Sequence, residues 1–153
     1  MSPISLARPP QHPRQLQTWT LESFADLTHL RADLTAVLKR GGEMTSAPDQ
    51  VTEGMVLVVS ELATNALKHA GTSTTVTLTG DDESYLLVVA DHSPSAAPAV
   101  ASGRAPGEGG FGLMLAERIA RRVGWYVTGS TKHVWALFPV REAAADPSSQ
   151  RLA

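Results

Sequence analysis

Ser60-Glu61-Leu62-Ala63-Thr64-Asn65-Ala66-Leu67-Lys68-His69-Ala70 is the stretch on which the reading of the fold turns. Glu61, Asn65 and His69 recur at i, i+4 and i+8 and so share one face of a helix. Met55, Val58, Leu62, Ala66 and Leu67 supply the apolar positions of its other faces. Pro48-Asp49 and Gly71 bound the element, which predicts one long helix over Asp49 to Ala70, and no proline occurs between Asp49 and Ser93 to break it. Asn is a poor helix former because its amide competes for backbone hydrogen bonds. In mid-helix, one turn from a carboxylate, it has a chemical reading: amide and carboxylate oxygens are the hard ligands that Mg²⁺ takes when phosphates and waters complete its shell. Glu61 can in addition act on a water or hydroxyl beside such a phosphate. The plain alternative is the solvated side of an amphipathic helix.

The pattern on either side alternates strands and helices. Upstream, Arg14 to Leu21 sets Leu16, Thr18 and Thr20 against Gln15, Gln17 and Trp19, which predicts a strand. Ser23 to Arg40 places Phe24, Leu27, Leu30, Leu34, Val37 and Leu38 at helical spacing, with Ser23 as N-cap and Gly41-Gly42 as the stop. Downstream, Thr74 to Thr79 is β-branched and alternating, Gly80 to Glu83 is a turn, and the apolar run Tyr85 to Ala90 reads as a central strand buried on both faces. Ser93 to Gly110 is a long loop, Leu113 to Val123 an amphipathic helix, and Trp125 to Gly129 with His133 to Pro139 a last pair of strands. About five strands and three helices, with two strand pairs joined by short turns, predict an α+β two-layer sandwich: a mixed, mostly antiparallel sheet covered on one face by helices.

The 153 residues suit one domain, expected over 14–140, between a flexible N-terminal arm (1–13, with four prolines) and a flexible C-terminal tail (141–153). Net charge is −2, too balanced for the basic field of a dedicated nucleic-acid binder. There is no cysteine, which excludes thiolate chemistry and disulfides and fits a reducing, cytoplasmic setting. No charged start leads into an apolar stretch, and no apolar run approaches a membrane span, so neither a secretory leader nor membrane insertion is expected.

Two further stretches carry possible chemistry. Asp91, in Ala90-Asp91-His92-Ser93-Pro94, ends an apolar strand. It is either an ordinary turn former or a carboxylate at a sheet end that accepts a hydrogen bond from a ligand amine. Gly107-Glu108-Gly109-Gly110-Phe111-Gly112-Leu113 matches G-x-G-x-x-G, but a loop precedes it and Lys132 stands where the acidic partner of a dinucleotide fingerprint belongs. What remains is a glycine loop whose backbone N–H groups, with those of the following helix, can approach a phosphate, or a flexible loop closed by a helix cap. Gly124 to Thr131 has glycines at Walker spacing without the lysine, and its middle reads as a strand. The five histidines show no metal-binding spacing. Arg118, Arg121 and Arg122 fall in a last helical turn, as a solvated cationic face or a partner surface.

Taken in order, Glu61-x-x-x-Asn65 on a helix, Asp91 at a strand end, a Gly/Pro loop, and Gly109-Gly110-Phe111-Gly112-Leu113 opening a helix resemble the GHKL, or Bergerat-fold, ATP-binding domain of histidine kinases and gyrase. Within that superfamily the chain is similar to the single-domain anti-sigma-factor serine/threonine kinases over about Thr18 to Val140. The resemblance implies roles. Asn65 would hold Mg²⁺ at the ATP phosphates, Glu61 would be the general base for an attacking hydroxyl, and Asp91 would accept the adenine amine. Gly109, Gly110, Phe111, Gly112 and Leu113 would line the phosphate side, and 93–110 would form the ATP lid. It implies an anti-anti-sigma protein as phosphoacceptor, a sigma factor as second partner, a possible homodimer, and no direct contact with nucleic acid or membrane. The chain departs from the family at Ser93-Pro94, where a glycine is usual two positions after the Asp. The other readings are a non-catalytic regulatory module that binds a partner with weak or no nucleotide binding, and a detached catalytic half of a two-component kinase. The second of these lacks a preceding helix with a phosphoacceptor histidine. Eight of the chain's 12 glycines and 10 prolines fall within Ser93 to Gly112, where a lid belongs.

Overall fold

A computed structural model describes residues 6–10, 14–40, 49–70, 73–81, 83–92 and 111–139. The elements are β1 (Arg14–Leu21), α1 (Asp26–Arg40), α2 (Asp49–Ala70), β2 (Thr74–Gly80), β3 (Ser84–Asp91), α3 (Phe111–Ile119), β4 (Arg122–Thr128) and β5 (Thr131–Pro139). The sheet order is β1-β2-β3-β5-β4, and every neighbouring pair is antiparallel. The sheet is therefore antiparallel throughout rather than mixed. β3 and β4 do run the same way, because α3 carries the chain back across the sheet between them. β5 then returns through a two-residue turn and inserts between the two, so no parallel ladder forms. The Walker-like glycine spacing belongs to this β4–β5 hairpin.

All three helices lie on one face. Leu27, Leu30, Leu34 and Leu38 of α1, Met55, Val58, Val59, Leu62, Ala63 and Ala66 of α2, and Ala116 of α3 are buried against Trp19, Leu21, Val76, Leu78, Tyr85, Leu87, Val89, Val134, Ala136 and Phe138 of the strands. Alternation along β1 does not place its side chains as expected. Leu16, grouped by parity with Thr18 and Thr20, packs into the core with Trp19 and Leu21. The register shifts between Gln15 and Gln17, so a bulge at Leu16 absorbs one residue and turns it to the inner face.

The helix ends also differ from the sequence pattern. α1 starts at Asp26, three residues after the expected cap. The Asp26 and Leu27 N–H groups donate to the Ser23 and Phe24 carbonyls, and the Asp26 carboxylate accepts from the N–H groups of Glu22 and Ser23 at 2.8 and 3.2 Å. α3 starts two residues early and ends at Ile119. Ala120 N–H still reaches the Ala116 carbonyl at 2.8 Å, but Arg121 N–H already donates to Leu137 on β5 at 2.7 Å. Only Arg118 of the three arginines lies in a last helical turn, and Arg122 opens β4.

The outer face carries a second, smaller apolar cluster of Leu86, Trp135 and Leu137. Residues 6–10, part of the segment expected to be a flexible arm, lie against it. Leu6 makes an isolated parallel bridge to Trp125 on the free edge of β4, and Ala7 N–H donates to the Trp125 carbonyl at 2.9 Å. The Trp135 indole N–H donates to the Ala7 carbonyl at 2.7 Å. The Arg8 guanidinium sits 4.7 Å from the centre of the Tyr126 ring, which stacks on His133 at 4.4 Å. His133 Nε2 and Thr128 Oγ1 are 2.8 Å apart. A strand pair without such cover would leave two aromatic rings in water.

Two predictions follow from this face. A Cβ on Gly124 would meet the Trp135 ring at 2.5 Å, directly across the β4–β5 ladder, and that ring is held by its bond to Ala7. Gly124→Ala therefore destabilises the fold by about 1–3 kcal/mol in a urea titration. The pKa of His133 lies below the ordinary imidazole value of 6.5, first because of burial and then because of Arg8, with Asp91 opposing. The unfolded chain then binds more protons than the folded one as pH falls through 6.5 toward the lowered folded value. This stabilising term is present above that window and is lost within it, so the melting temperature of the wild type falls more between about pH 7 and about pH 5 than that of His133→Phe, which keeps the stack but cannot titrate.

Candidate functional site

The chain order converges on one edge of the sheet. Antiparallel pairing aligns the end of β3 with the starts of β2 and β5: Ala90 pairs with Thr75, and Asp91 with Lys132. α2 ends at Ala70, four residues before Thr74, so its C-terminal half approaches this edge. α3 packs along α2 in the opposite sense. Its last residue, Ile119, lies so close to Gly54 in the first half of α2 that a Cβ there would meet Ile119 Cδ1 at 2.7 Å. The first turn of α3 accordingly points back toward Asp91's edge. The C-terminal end of α2, Asp91 and Lys132 thus lie toward the same end of the inner layer, while Glu61 stands mid-way along α2.

α2 spans Asp49–Ala70 as the pattern predicts, with Glu61 and Asn65 both partly buried and one turn apart. Glu61 borders a groove of about 620 Å³ between α1 and α2, with Arg31, Thr35, Lys39, Ser60 and Thr64 among its lining residues. Arg31 Nε donates to Ser60 Oγ at 3.0 Å and ties the two helices together, while Thr64 Oγ1 donates back to the Ser60 carbonyl at 2.6 Å. Glu61 therefore stands at the border of this groove, whose lining also includes Thr52, Glu53, Val56 and Leu57 of the first half of α2, with the Arg31 guanidinium in the same groove.

Asp91 is 5% exposed, on the helix-side face, two residues beyond Val89 in the same alternation. Its Oδ2 lies 3.8 Å from Lys132 Nζ. The alternation of Lys132 with Val134, Ala136 and Phe138 signals an inward face, but its meeting with Asp91 depends on the β3–β5 register. Phe111, Gly112 and Leu113 form the first turn of α3, so Gly112 lies within the helix rather than in the loop before it. The first turn holds no acidic residue, and its backbone N–H groups, which have no intrahelical partner, with the positive end of the helix dipole favour an anion. Gly109, Gly110 and the stretch 93–110 expected to form a lid lie outside the described residues, as does the side chain of His69.

Among the described residues no three His, Cys, Asp or Glu side chains gather as a metal site, and no helix is long and apolar enough to cross a membrane. The Asn65 amide oxygen on α2 is a hard donor that suits Mg²⁺ arriving with a phosphate ligand and taking most of its oxygens from that ligand and water.

No curated protein matches the chain at a significant level. Among solved structures, the histidine kinase AdeS of Acinetobacter baumannii is similar at a TM-score of 0.44 and 14% sequence identity, over 82% of this chain and 68% of that one. The family model described as "Histidine kinase-like ATPase domain" matches residues 24–137, most of the chain, from before α1 to within β5. The chain belongs to the histidine kinase-like ATPase domain family.

Proposed function

We propose that this chain is an ATP-dependent protein serine/threonine kinase of the anti-sigma-factor type, which phosphorylates an anti-anti-sigma partner and binds a sigma factor. The observation that supports the reading is the buried Asp91 carboxylate at the sheet edge toward which the C-terminal end of α2 runs. A nucleotide laid along that edge meets an acceptor for its base at one end and helix N–H groups for its phosphates at the other. Asn65 would hold Mg²⁺, which when bound offsets phosphate charge. Glu61 takes the proton from a serine or threonine hydroxyl of the partner. The hydroxyl oxygen then bonds to the γ-phosphorus as the bond from that phosphorus to the β,γ-bridging oxygen breaks, and ADP leaves with the electron pair. Phosphoryl transfer asks a protein chiefly for positioning and charge, and this small set of residues supplies both.

Calorimetric titration with ATP, with and without Mg²⁺, is the first test. Mg²⁺-dependent binding is expected, and its absence favours a regulatory module that works through partner contacts alone. Asn65→Ala is expected to bind ATP with no gain from Mg²⁺; an undiminished Mg²⁺ effect removes the ligand role. Glu61→Ala is expected to bind ATP as the wild type does and to phosphorylate a cognate partner about 10²–10⁴-fold more slowly. Phosphorylation at the wild-type rate rejects it as the base.

A further inference from the structure

The β3–β5 ladder brings to the site a charged residue that the catalytic reading leaves without a role. Lys132 opens the inward-facing alternation of β5, directly opposite Asp91 in the register, and the two side chains are 14% and 6% exposed. Taking a carboxylate out of water is costly unless a cation stands nearby. At 3.8 Å the ammonium supplies that charge from beyond hydrogen-bonding distance of Oδ2. An ionised carboxylate accepts hydrogen bonds and donates none. A ligand that presents an amine to it is satisfied, whereas one that presents a carbonyl sets two acceptors against each other in a dry site.

We propose that Lys132 is a positioning residue that sets base specificity: facing Asp91 across the β3–β5 register, its ammonium holds that carboxylate in place as the acceptor of a 6-aminopurine and against a 6-oxopurine. The inference rests on the reading of Asp91 as the base acceptor and adds the residue that keeps it selective.

The test is calorimetry of the full chain with ATP and with GTP for the wild type, K132M, K132R, D91N and the D91N/K132M double variant. The wild type is expected to prefer ATP. K132M is expected to lose about tenfold in ATP affinity and to narrow the ATP-to-GTP ratio by a similar factor, and K132R to restore both. In the double variant the ratio is expected to equal that of D91N alone, since an amide needs no counter-charge. In the ligand-free protein, K132M is expected to lower the melting temperature more in the wild-type background than in the D91N background. The double variant also stands in should K132M alone fail to fold. A folded K132M with an unchanged ATP-to-GTP ratio overturns the proposal, as does a double variant whose ratio differs from that of D91N. If D91N itself leaves ATP affinity unchanged, the Asp91 assignment has failed and this inference falls with it. If D91N weakens ATP binding while K132M leaves the ratio alone, this inference fails and the Asp91 assignment stands.

Discussion

The insertion of β5 between β3 and β4 is the constraint on which the rest of the molecule depends. β3 is apolar at nearly every position, and a strand buried on both faces needs hydrogen-bonded neighbours on both edges. β2 supplies one through a short turn. The other arrives only after the chain has crossed the sheet as α3 and returned as β4, and the tight β4–β5 turn then sets the register of the whole second half. That register completes the core with Val134, Ala136 and Phe138, and it places Lys132 opposite Asp91. The functional edge and the core are products of the same pairing.

The same insertion creates a problem on the other side of the sheet. Trp135 and Leu137 necessarily alternate with the inward residues of β5 and emerge on the face opposite the three described helices. The chain answers with residues 6–10, whose backbone satisfies both the Trp125 carbonyl and the Trp135 indole N–H, and with Arg8 over the Tyr126–His133 stack. β4 is an edge strand, and an unprotected edge invites pairing with other chains. A short segment laid on that edge blunts it, while Gly124 gives the Trp135 ring room to lie flat across the ladder.

How far the sequence could be read depended on the range of the interaction that decides each feature. α2 was legible end to end, because its 22 residues combine a sustained apolar period with a proline at one end and a glycine at the other. β1 had legible limits, but the orientation of Leu16 did not follow from parity, since a bulge is fixed by the partner strand and leaves no mark on the strand itself. The end of α3 was misplaced for a similar reason: Leu115 to Val123 keeps helical spacing, but the Leu137 carbonyl captures Arg121 N–H and turns the chain into β4. Glu61, Asn65 and Asp91 stood out by residue type and position, whereas Lys132 gains its meaning only through a contact 41 positions away in the chain. The cover given by residues 6–10 was hidden altogether, because four prolines in the first thirteen residues read as a loose arm.

The Asp91–Lys132 pair bears on what this edge is for. A buried ion pair is weak evidence of stabilisation, since apolar residues of similar volume in its place are often as stable or more so. Directly beside the pair, Val89 and Val134 occupy the equivalent inward positions of the same two strands and pack with the core. One more apolar pair would continue that packing to the end of the sheet at no cost in exposed charge. The chain instead places a buried carboxylate and a cation at the end of the inner layer toward which the C-terminal end of α2 runs. Stability accounts for the valines, and the proposed reading of a base at that edge gives the carboxylate and the cation facing it a use that packing alone does not.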